Sequence, residues 1–75
     1  MYGQTIAQSQ LLGIAFKVSM TLNIEAAAEG IEISYEDKSQ AKELVKQLQQ
    51  RSIASRQRSN NPKVVIIPYS EISDS

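Results

Sequence analysis

Leu12-Gly-Ile-Ala-Phe-Lys-Val-Ser-Met-Thr-Leu-Asn-Ile24 places an apolar residue at every even position: Leu12, Ile14, Phe16, Val18, Met20, Leu22 and Ile24. From residue 17 onward the gaps are polar, with Lys17, Ser19, Thr21 and Asn23. Successive side chains of a strand point to opposite faces, so period-2 alternation predicts a strand with one buried and one wet face. A straight strand over the whole stretch would run ~40 Å at ~3.3 Å per residue. Usual strands have ~5–6 residues. The reading therefore puts a bend near Gly13 or Ala15, or confines regular pairing to 14–24.

Upstream, residues 1–11 read in two ways. Thr5 can cap a short helix carrying Ile6, Ala7 and Leu11 and stopped by Gly13, or the segment is a loose lead-in. Downstream, Glu25-Ala-Ala-Ala-Glu-Gly30 reads as a hairpin loop closed by Gly30, which lacks a Cβ and takes positive φ cheaply. The rival is a short helix capped by Asn23. Two turns without an apolar stripe make a poor helix, so the hairpin is preferred.

Ile31, Ile33 and Tyr35 alternate with Glu32, Ser34 and Glu36, a second half-buried strand. Asp37 then stands three residues before Gln40, the spacing of an N-cap with a variant capping box. Ala41, Leu44, Val45 and Leu48 supply the apolar stripe of the following helix, which weakens between 50 and 56. Residues 56–63 are a loop by composition, punctuated by Asn60, Asn61 and Pro62. Val64-Val-Ile-Ile67 is apolar throughout, as expected of a strand covered on both faces, and Pro68 ends it.

Together these elements predict an α+β fold: a small three-stranded, mainly antiparallel sheet in the chain order β-β-α-β, spatial order 2-1-3, with one helix packed on one face. The whole chain, 1–75, reads as a single small domain, with 1–11 and 69–75 as candidate flexible ends, although Tyr69 and Ile72 are able to dock. The even face of the first strand would lie under the helix. The other face would carry Lys17, Ser19 and Thr21 beside a third strand, Val64, Val65, Ile66 and Ile67, that is apolar on both sides. A bare apolar strip there calls for a cover, and this makes those seven residues the expected interface.

Seventy-five residues bury only ~60% of the surface of the unfolded chain, and domains of this size usually draw stability from disulfides, metal or a partner. The chain has no cysteine and no histidine. Disulfides, zinc and iron–sulfur sites and all thiol or imidazole chemistry are thereby excluded. No metal and no cofactor is expected, and self-association gains weight by elimination. The apolar stretches are too interrupted to span a bilayer, and no basic residue precedes Lys17 as a signal peptide would require. A soluble cytoplasmic protein is the expectation.

Net charge is zero but lopsided. Residues 38–63 hold Lys38, Lys42, Lys46, Arg51, Arg56, Arg58 and Lys63 against Glu43 alone, whereas residues 1–37 hold Lys17 against five carboxylates. Lys42, Lys46, Arg51, Arg56 and Arg58 form a candidate nucleic-acid-binding set, able to meet phosphates from helix and loop. A solvated helix face balanced by the acidic strand beside it is the competing reading. No aromatic residue interleaves with these cations, which argues against base stacking. Glu36 and Asp37 are adjacent carboxylates, but capping and exposure account for them. No nucleophile–base motif is present, so no enzyme is expected. The sequence thus reads as a small non-enzymatic protein-interaction module, a homo-oligomer or the subunit of a larger assembly. It would associate through its sheet face or by strand addition at residues 31–35 or 64–67. The alternative is a nucleic-acid-binding regulator.

Overall fold

The computed structural model describes residues 5–73. In chain order they form β1 (Ile6–Ala7), α1 (Gln8–Val18), β2 (Leu22–Ala26), β3 (Gly30–Tyr35), α2 (Lys38–Gln50), β4 (Arg56–Gln57), β5 (Val64–Pro68), a 3-10 turn (Tyr69–Glu71) and β6 (Ile72–Ser73). The fold is α+β, as the sequence implies. The sheet differs from expectation. It has four strands in the order β2-β3-β5-β4, every neighbouring pair antiparallel, and β1 and β6 form a separate parallel pair.

The first half of the alternating run is helix, not strand. Leu11 and Ala15 of α1 are fully buried, and Ile14 and Val18 pack against the same core. Positions 11, 14, 15 and 18 are one helical stripe. The even residues satisfy a helix equally well, because Ile14 and Val18, four apart, share one flank and Leu12 and Phe16 share the other. Of the run, only Leu22 to Ile24 enter the sheet. Thr5 does not cap α1. Ala7 occupies the N-cap, and its N–H donates to Gln10 Oε1 at 3.3 Å. Gly13 lies inside the helix rather than at its end. Tyr2 and Gly3, and the start of the expected flexible N-terminal end, lie outside the described residues, as do residues 74 and 75.

The hairpin reading of 25–30 holds: the Ala27 N–H donates to the Gly30 carbonyl at 2.8 Å. Glycine is required at 30 for a different reason from the one expected. Its φ is not positive. A Cβ there would collide with the carbonyl oxygen of Ile67 and come within 2.8 Å of Pro68 Cα, both on the adjacent strand.

β4 explains why the strand order departs from 2-1-3. The chain leaves β3, crosses through α2 and enters β4, which runs parallel to β3 with one strand position left between them. The turn at 58–63 then reverses the chain, and β5 fills that position antiparallel to both neighbours. Two polar residues, Arg56 and Gln57, are thus a strand where composition reads as loop. One extra strand reverses the direction of the next.

Both helices cover the same face of the sheet. Ile31, Ile33 and Tyr35 of β3 and Val65 and Ile67 of β5 point into the core, where Ala41, Leu44 and Leu48 of α2 meet them. α2 lies over β3, β5 and β4. α1 packs beside it, and the Tyr35 hydroxyl donates to the Ala15 carbonyl at 2.7 Å. Burial pushes the Tyr35 phenol up to about 12. Asp37 caps α2 as expected, its Oδ1 accepting from the Ser39 N–H at 3.1 Å. The capping box is not closed, because Gln40 Oε1 accepts no hydrogen bond. At the other end Ser52 takes φ 61°, the left-handed position usually given to glycine. The Ile53 N–H donates to the Leu48 carbonyl and the Ser52 N–H to the Gln49 carbonyl, a Schellman ending that turns Ile53 into the core. The C-terminal segment is anchored: the Tyr69 hydroxyl donates to the Ala27 carbonyl at 2.7 Å, and Glu71 accepts from the Ala54 N–H.

The two glycines make a paired test. Gly30→Ala forces backbone apart in a packed sheet and is expected to cost about 1–3 kcal/mol or more. Gly13→Ala meets open space and removes a mid-helix glycine, with an expected gain of up to ~1 kcal/mol. Urea unfolding of both variants reads the difference. A second test uses Tyr35. Between its ordinary pKa of 10.0 and about 12 the unfolded chain loses the proton while the folded chain keeps it. The stabilisation is therefore complete below pH 10 and is lost across pH 10–12, by roughly 2–3 kcal/mol in total. Tyr35→Phe is expected to flatten that part of the stability profile.

Candidate functional site

The face of the sheet away from the helices carries Asn23 and Glu25 of β2, Glu32 and Ser34 of β3, Val64 and Ile66 of β5, and Arg56 of β4, as the register requires. Val64 and Ile66 remain only 6% and 4% exposed although no helix covers them. Two arginines close this strip. The Arg58 N–H bonds the Val64 carbonyl, continuing the β4 register, and its Nη1 reaches across β5 to Glu32 Oε2 at 3.0 Å. Arg56, opposite Ile66, reaches Glu29 Oε1 at 3.0 Å. Their aliphatic stems lie over the apolar strand while their charged heads pair with the two glutamates. Arg58 also relieves a local repulsion, since Glu25 and Glu32 stand directly opposite each other.

The residues expected to form a sheet-face interface are not brought together. Lys17 lies on α1, and Ser19 and Thr21 lie in the link to β2, where Ser19 Oγ accepts from the Thr21 N–H at 3.1 Å. Val65 and Ile67 are fully buried beneath the helices, while Val64 and Ile66 face the other way under the arginines. The bare strip that motivated this surface is covered from within the chain. Neither 31–35 nor 64–67 is an edge, because β3 and β5 are flanked on both sides.

The candidate nucleic-acid residues are likewise divided. Lys42 and Lys46 are exposed on α2 and have no ion-pair partner among the described residues. Arg51 folds back on α2, donating to the Gln47 carbonyl at 3.1 Å. Arg56 and Arg58 are held by glutamates on the opposite side of the sheet layer. An open cleft of about 420 Å³ lies between β1, α1 and the end of α2, with Ile6, Ile14 and Ile53 lining it and Lys17 and Arg51 among its polar groups. It offers no carboxylate and no acid–base pair. Among the described residues no cluster of three metal-ligating side chains occurs, and no helix is long and apolar enough to cross a membrane.

The surface that sequence reasoning missed is the edge of β2. Among the described residues only β3 pairs with this strand. Ala27 and Gly30 form the hydrogen-bonded pair at the hairpin end. Alternation along an antiparallel ladder then makes Glu25–Glu32 and Asn23–Ser34 hydrogen-bonded pairs, so the N–H and C=O groups of Leu22, Ile24 and Ala26 point outward, away from β3. Apolar surface also stays uncovered. Phe16, Met20 and Ile24 are all large exposed hydrophobics, Met20 at 79%. Phe16 and Leu12 sit on the flank of α1 opposite Ile14 and Val18, which face α2. The signal was present in the even residues of the opening run, but only the strand order shows which of them are left uncovered.

The two ion pairs differ in exposure, and their energetics should follow. Arg56–Glu29 is well exposed at both ends, so Arg56→Ala is expected to cost no more than ~0.2–1 kcal/mol. Arg58→Ala also uncovers Val64 and strands Glu32, which is only 16% exposed, and is expected to cost more, about 1–3 kcal/mol. Arg58→Met, which keeps the stem, should recover part of the loss in chemical denaturation. Comparison of the chain with protein-family models, curated proteins and solved structures finds no match.

Proposed function

We propose that this chain is a non-enzymatic protein-interaction module that binds an extended segment of a protein partner by strand addition along β2. The observation that carries this reading is the unpaired edge: three residues, Leu22, Ile24 and Ala26, present outward N–H and C=O groups, and the Ile24 side chain is itself exposed. An added strand takes its affinity from main-chain hydrogen bonds and its selectivity from alternate side chains. Here an incoming strand would place every second side chain beside Ile24 and the intervening ones beside Asn23 and Glu25. Natural sheets usually protect such edges with lysine, proline or a bulge. β2 has none of these, and its single charge, Glu25, points to the face away from the helices. The nucleic-acid alternative draws less support, because three of its five cations are engaged within the chain.

Ile24→Pro tests the reading directly. Proline removes the outward N–H of residue 24 while the bonds to β3 come from Asn23 and Glu25, so the sheet is expected to persist, as edge prolines allow. Random displayed peptides selected on the folded wild-type protein should converge on alternating apolar sequences. Those peptides should lose at least ten-fold in binding to Ile24→Pro. Selected peptides that bind both proteins equally, or no enrichment at all, would overturn the proposal.

A further inference from the structure

We infer that the strand received by β2 is β2 of a second copy of this chain, paired antiparallel about a two-fold axis with Ile24 opposite Ile24 of the partner. The inference rests on the strand-addition reading and adds the identity and register of the partner. Three registers form more than one pair of outward-facing residues. Centring the axis on Glu25 would set two like carboxylates directly opposite each other, which is unfavourable. Centring it on Asn23 pairs Leu22 with Ile24 twice and leaves the outward groups of Ala26 unmet. Centring it on Ile24 uses all three outward residues: Ile24 meets Ile24, and Leu22 meets Ala26 on either side, each a hydrogen-bonded pair.

Side-chain chemistry favours the same register. On the face away from the helices, Asn23 of one copy falls opposite Glu25 of the other. Glu25 faces Glu32 on its own sheet and has no cationic partner among the described residues. The amide of a second copy's Asn23 offers it a donor. On the helix face, the two Ile24 side chains meet at the axis. Pairing there covers Ile24, a large apolar side chain that is 38% exposed in the single chain. The outcome is a continuous eight-stranded sheet with four helices on one side and the arginine-covered face on the other. The symmetry is the isologous kind most common among homodimers. The contact comprises one short strand and a few side chains, smaller than the ~800 Å² per partner of standard stable interfaces. Dimerisation is therefore weak and concentration-dependent.

The chain contains no cysteine, so a single introduced cysteine can cross-link only to another copy. In the proposed register Ile24→Cys sulfurs belong to Cα atoms ~5.5 Å apart, within disulfide reach. Asn23→Cys residues would be offset by two positions, roughly 8 Å apart, beyond the ~7 Å limit. Under mild oxidation Ile24→Cys should form disulfide dimers at least ten-fold faster than Asn23→Cys or Glu25→Cys. Wild-type protein should show a concentration-dependent mass increase in sedimentation equilibrium that Ile24→Pro abolishes. Equal cross-linking at the three positions, faster cross-linking at Asn23→Cys, or a strictly monomeric wild type at millimolar concentration overturns the self-pairing. Peptide enrichment that is lost in Ile24→Pro would leave strand addition standing in that event, with a different partner.

Discussion

Two helices, each about 10 Å wide, have to cover one face of a sheet whose four strands span roughly 19 Å. That width constraint organises the molecule. It sends α2 over β3, β5 and β4 and sets α1 beside α2, so the odd residues of β3 and β5 become the core. It also leaves neither helix to cover the reverse face. There the chain relies on side chains alone, laying Arg56 and Arg58 over β5 and fixing them to Glu29 and Glu32. α1 packs against α2 and β1, and its Phe16 stays exposed. The exposed Phe16 and Ile24 are the remainder of that geometry.

Much of the fold is legible in the sequence where one physical cause dominates. The alternation of Ile31, Ile33 and Tyr35, the cap at Asp37, the stripe Ala41-Leu44-Val45-Leu48 and the unbroken apolar run at 64–67 each have a single explanation, and each element is found where that explanation puts it. The opening run has two explanations. Even-numbered apolar residues from 12 to 18 suit a strand, and Leu11, Ile14, Ala15 and Val18 suit a helix. Burial of Leu11 and Ala15, the odd members, decides for the helix, and their weight is visible only once the neighbouring elements are in place. β4 was illegible for another reason. Two polar residues have no periodicity, yet their presence sets the direction of β5 and the order of the whole sheet.

The candidate surface was legible in its parts and not in its arrangement. The apolar character of Val64 and Ile66 correctly signals a need for cover, but the cover comes from Arg56 and Arg58, residues whose charge suggested a phosphate partner. Charge pattern alone does not distinguish an arginine that meets a ligand from one whose stem packs on a strand and whose head finds a glutamate 26 or 27 residues away. Equally, nothing local to Leu22–Ala26 marks it as an edge. Edge status is a property of strand order, and strand order here depends on β4.

The pairing of β1 with β6 has a mechanical consequence. These strands are parallel, with Ile6 beside Ile72 and Ala7 beside Ser73. Tension applied between residues 5 and 73 would pull the two strands past each other along their length, loading their hydrogen bonds in shear and together rather than peeling them apart one at a time. The Tyr69 hydroxyl and Glu71 carboxylate tie the same segment to Ala27 and Ala54. The sheet behind that clasp would feel the load only after all of these had yielded. A chain of this size, built without a covalent cross-link, thereby places its first resistance to stretching at the point where force would enter.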